Sequence, residues 1–123
     1  MKIRIHHFFD IIRDFGSGKI IVPHQFLHAY HIIAEQIREN PDVELIIIVE
    51  SDAVCTGCVH LEDSICNDII SHRKDFVSKE EFNNHLDKRI VEVCGIQLSE
   101  KYSPKLIMNF QRTKKLRVFL FKR

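Results

Sequence analysis

Three of the four cysteines fall in one short block, and this block restricts the fold more than any other feature of the chain. Cys55 and Cys58 form a CxxC pair, and Cys66 follows shortly after it. Gly57 suits the tight turn inside the pair, because glycine accepts a positive φ without a Cβ clash. Clustered soft thiolates select zinc, copper(I) or an iron–sulfur cluster over magnesium or calcium. The block therefore predicts a metal site with Cys55, Cys58 and Cys66 as ligands.

The block leaves the fourth ligand open. Structural zinc and most iron–sulfur clusters are held by four protein ligands, so one more must come from elsewhere in the chain. The remaining cysteine, Cys94, is the preferred fourth ligand, at the end of a predicted helix. The alternatives are His60 inside the block and His6 or His7 near the N-terminus. Adjacent residues of a helix point about 100° apart, so at most one of that pair is a natural ligand.

The same cysteines permit two other interpretations. The first is that they are ordinary buried thiols, because free cysteine packs like a small hydrophobe. The acidic residues next to the cysteines argue against a buried apolar loop. A CxxC after a buried strand is also typical of thiol–disulfide oxidoreductases, with Cys55 and Cys58 as the redox pair. Glu62 and Asp63 disfavour a nearby thiolate, and Cys66 has no role in that mechanism. Both interpretations rank below a metal site.

Hydrophobic periodicity predicts two helices and a strand in the first half of the chain. Apolar residues spaced along one face predict a first helix over 5–16. Pro23 is suited to the start of a second helix, which we expect to end near Asn40. Residues 20–22 are either a short strand or a buried linker. The β-branched run over 43–49 predicts a central strand that is buried on both faces.

The second half of the chain predicts two more helices. Ser78 heads a capping-box pattern, and Gly95 is placed to end the helix that follows it. Ser103 and Pro104 open a fourth helix. The tail over 113–123 is ambiguous between an edge strand and a helix end. We therefore expect a single α+β domain over 1–123, with about four helices packed on a two- or three-stranded sheet and the cysteine loop after the central strand.

Three histidines are spaced as if along one helix face. His24, His28 and His31 stand at i, i+4 and i+7, and Glu35 follows one turn later. On a helix these side chains share a face, where imidazoles and a carboxylate can hold zinc, nickel or iron. A solvated polar face opposite the apolar stripe explains the same pattern. We favour the solvated face, because no partner that would orient the rings is evident.

Composition excludes several classes of function. A net charge of +1 argues against a nucleic-acid-binding protein, and the basic residues of the tail fit a solvated terminus. The chain has no apolar run long enough to span a bilayer and no signal-peptide pattern, so we expect a cytoplasmic protein. Phosphate-loop, GxSxG and HExxH motifs are absent. These observations favour a binding protein over an enzyme.

Several segments, taken in order, carry a family resemblance. Arg4-Ile5-His6-His7 opens an apolar helix, Gly16-Ser17-Gly18 follows it, and the strand over 46–49 leads to the cysteine block. In this order and over most of its length, the chain resembles a family of small bacterial and archaeal proteins of unknown function, in which the cysteine spacing implies iron–sulfur binding. The cysteine block, residues 52–66, is the specific part of the resemblance.

The chain departs from the pattern of that family at two positions. The family pattern places a further cysteine shortly after the two histidines, where this chain has Asp10. It also places a proline after the CxxC pair, where this chain has Val59. If the early cysteine is the fourth ligand in the family, then either Cys94 or a histidine replaces it here, or the site in this chain is degraded.

The prediction is therefore a small metal-binding protein. An iron–sulfur cluster held by Cys55, Cys58, Cys66 and Cys94 comes first, and it would serve electron transfer or redox sensing with a redox or protein partner. The first alternative is a structural Zn²⁺ domain that acts as a protein-interaction module. The second is a thiol–disulfide oxidoreductase that uses Cys55 and Cys58. The sequence does not indicate the oligomeric state.

Overall fold

The computed structural model describes residues 1–109, and within them it forms an α+β fold with four helices and two small sheets, as predicted. A 3₁₀ turn at Ala53–Cys55 precedes the CxxC turn. In chain order the elements are β1 (Lys2–Ile3), α1 (Ile5–Gly16), α2 (Tyr30–Glu39), β2 (Leu45–Ile47), β3 (Leu61–Glu62), β4 (Ile65–Cys66), α3 (Lys79–Cys94), β5 (Lys101–Tyr102) and α4 (Pro104–Met108). The ambiguous tail over 113–123 lies outside the described residues.

The central strand of the larger sheet is β2, which delivers the chain to the cysteine loop. β1 pairs parallel to one edge of β2, and β5 pairs antiparallel to the other. Leu45 and Ile47 are fully buried, whereas Ile46 between them is only partly covered. The predicted strand is therefore confirmed in place, but it is shorter than 43–49 and is not fully buried on both faces.

Helices α1 and α3 pack against each other and supply much of the core. Their ends follow the predicted local signals. The Ser78 side chain accepts a hydrogen bond from the Glu81 N–H at the start of α3, and Gly95 ends that helix in the left-handed conformation with φ 68°. Ser103 caps α4 in the same way as Ser78 caps α3. No helix within residues 1–109 is both long and apolar enough to cross a bilayer.

The predicted start of the second helix at Pro23 is wrong, because α2 begins at Tyr30. Residues 17–29 instead form a non-helical segment, here called the α1–α2 loop. Leu27 adopts φ 63°, which interrupts a right-handed helix. The Ala29 N–H donates to the Val54 carbonyl at 2.8 Å, a tertiary bond that replaces a helical one. Ile20 is 83% exposed and lies in no strand, so the strand or buried linker expected over 20–22 is also wrong.

Candidate functional site

One cleft collects most of the predicted site residues. It has a volume of about 440 Å³ and lies between α1, the α1–α2 loop, the cysteine loop and the start of α3. Three of the four cysteines reach it, whereas Cys94 does not line it. Asp10, which stands where the family resemblance expects a cysteine, also lines it. The cysteines and histidines of the cleft are Cys55, Cys58, Cys66, His6, His7, His24, His28 and His60.

The CxxC pair is built on a type II turn. Thr56 has φ −58° and ψ 123°, Gly57 has φ 79°, and the Cys58 N–H donates to the Cys55 carbonyl at 3.0 Å. A Cβ at Gly57 would lie 2.9 Å from the Leu27 carbonyl oxygen. Glycine is therefore required here by the turn and also by the close approach of the α1–α2 loop.

The β3–β4 hairpin returns Cys66 towards the CxxC turn. The Leu61 N–H donates to the Cys58 carbonyl at 3.1 Å, and Leu61 pairs with Cys66 across the hairpin. Asp63 and Ser64 form its two-residue turn with φ 50° and 66°, the pattern of a type I′ turn. The chain path thus returns the third predicted ligand to the cleft that the first two line.

Cys94 lies at the opposite end of α3 from the cleft. Lys79 and Glu80, at the start of that helix, line the cleft, and Cys94 is its last residue. The 14 positions from Glu80 to Cys94 correspond to about 21 Å along the helix axis. Burial raises the pKa of the Cys94 thiol to about 11, as expected for a thiol packed against the core.

A buried arginine organises the wall of the cleft that α1 and α3 share. Arg4 is only 1% exposed, and its guanidinium donates to Asp87 at 2.9 Å and to Glu80 at 3.2 Å. The second oxygen of Glu80 accepts a hydrogen bond from the Cys66 N–H at 3.2 Å. The network therefore links the cysteine loop to both helices.

Each N-terminal histidine of the cleft is paired with a carboxylate. Nδ1 of His6 lies 2.7 Å from Oδ1 of Asp87, and Nδ1 of His7 lies 2.9 Å from Oδ2 of Asp52. A carboxylate accepts hydrogen bonds, so each Nδ1 carries a proton, and in the neutral form of either ring Nε2 keeps its lone pair. The same tautomer is found in metal-ligating histidines, which donate their other N–H to a carboxylate.

Electrostatics keep both carboxyls ionised. Burial alone would raise the pKa of Asp52, but His7 and the Arg4 N–H outweigh it and hold that pKa below its ordinary value. The same balance, with His6 and Arg4 as partners, lowers the pKa of Asp87. Burial, followed by the charge of His7, lowers the pKa of His6, so its ring is neutral at pH 7.

Asp52 also contacts the first cysteine of the CxxC pair. The Cys55 thiol donates to Oδ1 of Asp52 at 3.4 Å. Burial and the negative charge of Asp52 raise the pKa of Cys55 to about 12. Without a metal, Cys55 is therefore a protonated thiol, whereas disulfide exchange needs a thiolate with a lowered pKa.

The cleft contains the donors of a metal site, but they are not assembled around one point. In the part of the chain that the structure describes, no group of three cysteine, histidine or acidic side chains is arranged to hold a metal ion. His60 is turned towards Asn67, with its Nδ1 3.0 Å from the amide oxygen. Any ion would have to draw the ligands together.

The corrected start of α2 also changes the interpretation of the histidine series. His24 and His28 precede the helix and line the cleft, whereas His31 lies on α2 at a second cavity. The three rings therefore share no helix face, and two of them belong to the cleft rather than to a solvated helix surface.

Sequence reasoning missed the side chains that orient the histidines. In the sequence, Arg4 stands out only as part of the family motif, and Asp52 only as the first residue of the cysteine block. Asp87 and Glu80 carried no functional prediction. Acidic residues in a helix next to core positions are common, so the sequence offered no signal that would have identified Asp87.

These features define a small α+β protein with a cleft where thiol and imidazole groups converge. The chain belongs to DUF1284, a family described as proteins of unknown function, whose profile matches residues 23–118. The match includes the cysteine block and excludes the two N-terminal histidines. It confirms the predicted resemblance at the level of a family of unknown function. Comparisons with curated proteins and with solved structures find no match.

Proposed function

We propose that the protein binds a metal centre in the cleft, with Cys55, Cys58 and Cys66 as thiolate ligands. The observation that carries the proposal is that all three cysteines line one cleft, two of them on a tight CxxC turn. Three thiolates favour an iron–sulfur cluster or zinc. An iron–sulfur cluster is the first candidate, and it would supply one-electron chemistry for electron transfer or redox sensing.

His7 is better supported as the fourth ligand than Cys94. Its Nδ1 is held by Asp52 and its Nε2 lone pair is available, as in metal-bound histidines. Cys94 lies about 16 Å along α3 from Asn83, the cleft-lining residue of that helix that is nearest to it in sequence. His6 has the same kind of carboxylate partner, but it is more deeply buried than His7.

Metal binding in this cleft would rearrange the cysteine loop. The ligands are not assembled in the described structure, so their side chains must move towards the ion. The Cys55 thiol, with its pKa of about 12, must lose its proton on binding. Affinity should therefore increase with pH, since protons compete with the metal for the sulfur.

The two alternative functions draw different support from the same cleft. A structural zinc site would use the same ligands and would hold the cysteine loop folded as a protein-interaction module. The thiol–disulfide oxidoreductase is less well supported, because burial and Asp52 raise the pKa of Cys55.

The deciding experiment is anaerobic purification followed by elemental analysis and visible spectroscopy. A coloured protein that contains iron and acid-labile sulfide, and that dithionite bleaches, would support the cluster. A colourless protein with about one zinc per chain would support the zinc alternative. Absence of both metals after reconstitution would contradict the proposal.

Cysteine variants test which thiols are ligands. Cys58→Ser removes one thiolate from the CxxC turn, so we expect the metal content of the purified protein to fall sharply. Cys94→Ser is the matched control, because Cys94 is half-buried but lies outside the cleft, and it should keep the full metal content. Equal metal content in the two variants would contradict the assignment.

A second pair of variants tests the fourth ligand. His7→Ala removes the proposed ligand and should lower metal affinity in a competition assay with a chromophoric chelator. His85→Ala, an exposed histidine away from the cleft, should leave the affinity unchanged. A strong effect of Cys94→Ser combined with none of His7→Ala would restore Cys94 as the fourth ligand.

A further inference from the structure

Two histidines of the cleft differ from the carboxylate-paired ones in what their Nδ1 atoms contact. Nδ1 of His24 accepts the backbone N–H of Phe26 at 3.0 Å, and Nδ1 of His28 accepts that of Tyr30 at 3.3 Å. A ring nitrogen that accepts a hydrogen bond carries no proton. The proton of each neutral ring is therefore on Nε2, which is the opposite tautomer from His6 and His7.

This tautomer suits hydrogen-bond donation rather than metal ligation. A metal needs a nitrogen lone pair, but Nδ1 of His24 and His28 is occupied by a backbone N–H and Nε2 carries the proton. The two rings stack nearly parallel, with centroids 4.5 Å apart and planes inclined by 19°. The cleft therefore contains a pair of neighbouring N–H donors in addition to its ligand-type histidines.

We infer that His24 and His28 form a subsite in the cleft for a small oxoanion, either a carboxylate or a phosphate group. Lys79, which also lines the cleft, adds a positive charge that acts on His28. Its Nζ lies 6.0 Å from the centroid of the Phe26 ring, which packs edge-on against His24. An N–H donor forms a stronger hydrogen bond with an ionised oxoanion than with a neutral acceptor.

The charges around the subsite are compatible with an anion. Lys79 is partly neutralised by Asp68 at 3.5 Å. The acidic side chains of the cleft already have cationic or hydroxyl partners, so less of their negative charge opposes an incoming anion. Glu80 contacts Arg4, Asp14 accepts from the Tyr30 hydroxyl, and Asp10 pairs with Arg13.

The neutral state of His28 is consistent with this role. Burial, followed by the nearby His24 ring, lowers the pKa of His28, and together they outweigh an opposing hydrogen bond of the ring to its own main chain. At pH 7 the ring is therefore uncharged and acts as an N–H donor. Neither ring is a proposed metal ligand, so the subsite goes beyond the proposed function and should also bind anions in metal-free protein.

The first test determines the tautomers directly in the wild-type protein. Long-range ¹H–¹⁵N NMR distinguishes imidazoles protonated on Nε2 from those protonated on Nδ1. We expect Nε2–H for His24 and His28, and Nδ1–H for His6. Nδ1–H at His28, as in a ring that donates to its own carbonyl, would overturn the inference. This test requires no variant and no metal.

The second test titrates metal-free and metal-reconstituted protein with inorganic phosphate and, separately, with acetate. Binding of either ion should shift the ring resonances of His24 and His28. The ion that binds with the higher affinity identifies the anion class. The His24→Ala/His28→Ala double variant should bind that ion at least about tenfold more weakly. The single His24→Ala variant, at an exposed position, should show a smaller loss and provides the result if the double variant does not fold.

His85→Ala is the matched control, because it removes an exposed histidine that does not line the cleft, and it should bind the anion as the wild type does. The inference would be overturned if neither phosphate nor acetate bound, or if the double variant bound the anion with the same affinity as the wild type. Metal content is measured on the same samples. A protein that binds the anion but no metal would therefore contradict the proposed function alone.

Discussion

The two walls of the cleft are held in place by different interactions. On the side of α1 and α3, Arg4 and Asp87 are almost completely buried and are joined by a charged hydrogen bond of 2.9 Å. On the other side, which the α1–α2 loop and the cysteine loop form together, Leu27 is 67% exposed. Main-chain bonds hold that wall, among them the Val59 N–H to the Phe26 carbonyl at 2.8 Å. One wall is fixed by buried side-chain charges and the other by backbone pairing.

The difference assigns a separate task to each wall. A buried ionic network fixes the orientation of the imidazoles attached to it, because breaking it leaves a charge without a partner in the interior. A wall held by its backbone leaves side chains such as Cys55 and Cys58 able to rotate towards a ligand. We therefore expect substitutions in the first wall to cause the largest losses of folding stability. In the second wall, the loss should depend on how far a substitution disturbs the backbone.

The largest effect should follow removal of the carboxylate at the centre of the buried network. Asp87→Ala removes one of the two carboxylates that pair with the Arg4 guanidinium, and it leaves the backbone N–H and Nδ1 of His6 without their acceptor. Removing one partner of a buried ion pair typically costs about 3–5 kcal/mol. Urea unfolding followed by circular dichroism should show a loss of that size in the free energy of unfolding.

An exposed ion pair provides the control for this substitution. Asp75 pairs with Arg73 at 2.6 Å, but both side chains are solvated. Asp75→Ala should leave the urea midpoint essentially unchanged, since solvent screens such pairs. If both variants shifted the midpoint equally, burial of the network would not account for the stability of the α1–α3 wall.

The next largest effect should come from the turn that carries the CxxC pair. Gly57→Ala places a Cβ in a left-handed conformation and only 2.9 Å from the Leu27 carbonyl oxygen. We expect a loss of about 2–3 kcal/mol in the free energy of unfolding, from backbone strain and from the displaced α1–α2 loop. The measurement is urea unfolding of the metal-free protein.

Gly18→Ala separates the two causes of that loss. Gly18 has a similar φ of 73°, but a Cβ there would meet nothing within 4 Å. Its substitution should cost only the strain, about 1 kcal/mol. Equal losses at the two glycines would mean that the close approach of the two loops contributes nothing to the second wall.

The sequence predicts the elements whose ends are set locally. Ser78 and Gly95 delimit α3 because a cap and a left-handed glycine act within a few residues of the helix end. The start of α2 is different. The Ala29 N–H donates to the Val54 carbonyl, and this hydrogen bond between distant parts of the chain overrides the helix signal at Pro23. A hydrogen bond between distant parts of the backbone produces no periodic pattern in the sequence, so it could not be predicted from it.

The candidate site shows the same division between local features, which the sequence predicts, and long-range contacts, which it does not. Spacing alone placed Cys55, Cys58 and Cys66 together, because a turn and a hairpin connect them within one loop. Spacing did not connect Asp87 to Arg4, since 83 positions separate them along the chain. Their meeting depends on how α1 packs on α3, which is a property of the folded core.

The smallest effect that we predict is on the pH dependence of stability. Burial, followed by the charge of His7, lowers the pKa of His6 from 6.5. Below pH 6.5 the unfolded chain therefore takes up a proton at this position that the folded protein excludes, so stability falls as the pH falls. The lowered pKa of Asp87 acts in the same direction, but only below its ordinary value of 3.8.

The test compares slopes of stability against pH rather than absolute stabilities, so a variant that is less stable throughout remains informative. Urea unfolding of metal-free His6→Gln between pH 7.5 and pH 5 should show a weaker pH dependence than that of the wild type, by at most about one proton. His85→Gln, at an exposed position, should keep the wild-type slope. Equal slopes in all three proteins would mean that His6 accepts its proton equally well folded and unfolded. The carboxylate wall would then stabilise the charged ring as strongly as burial destabilises it, and the two walls would differ in how they are held but not in their response to acid.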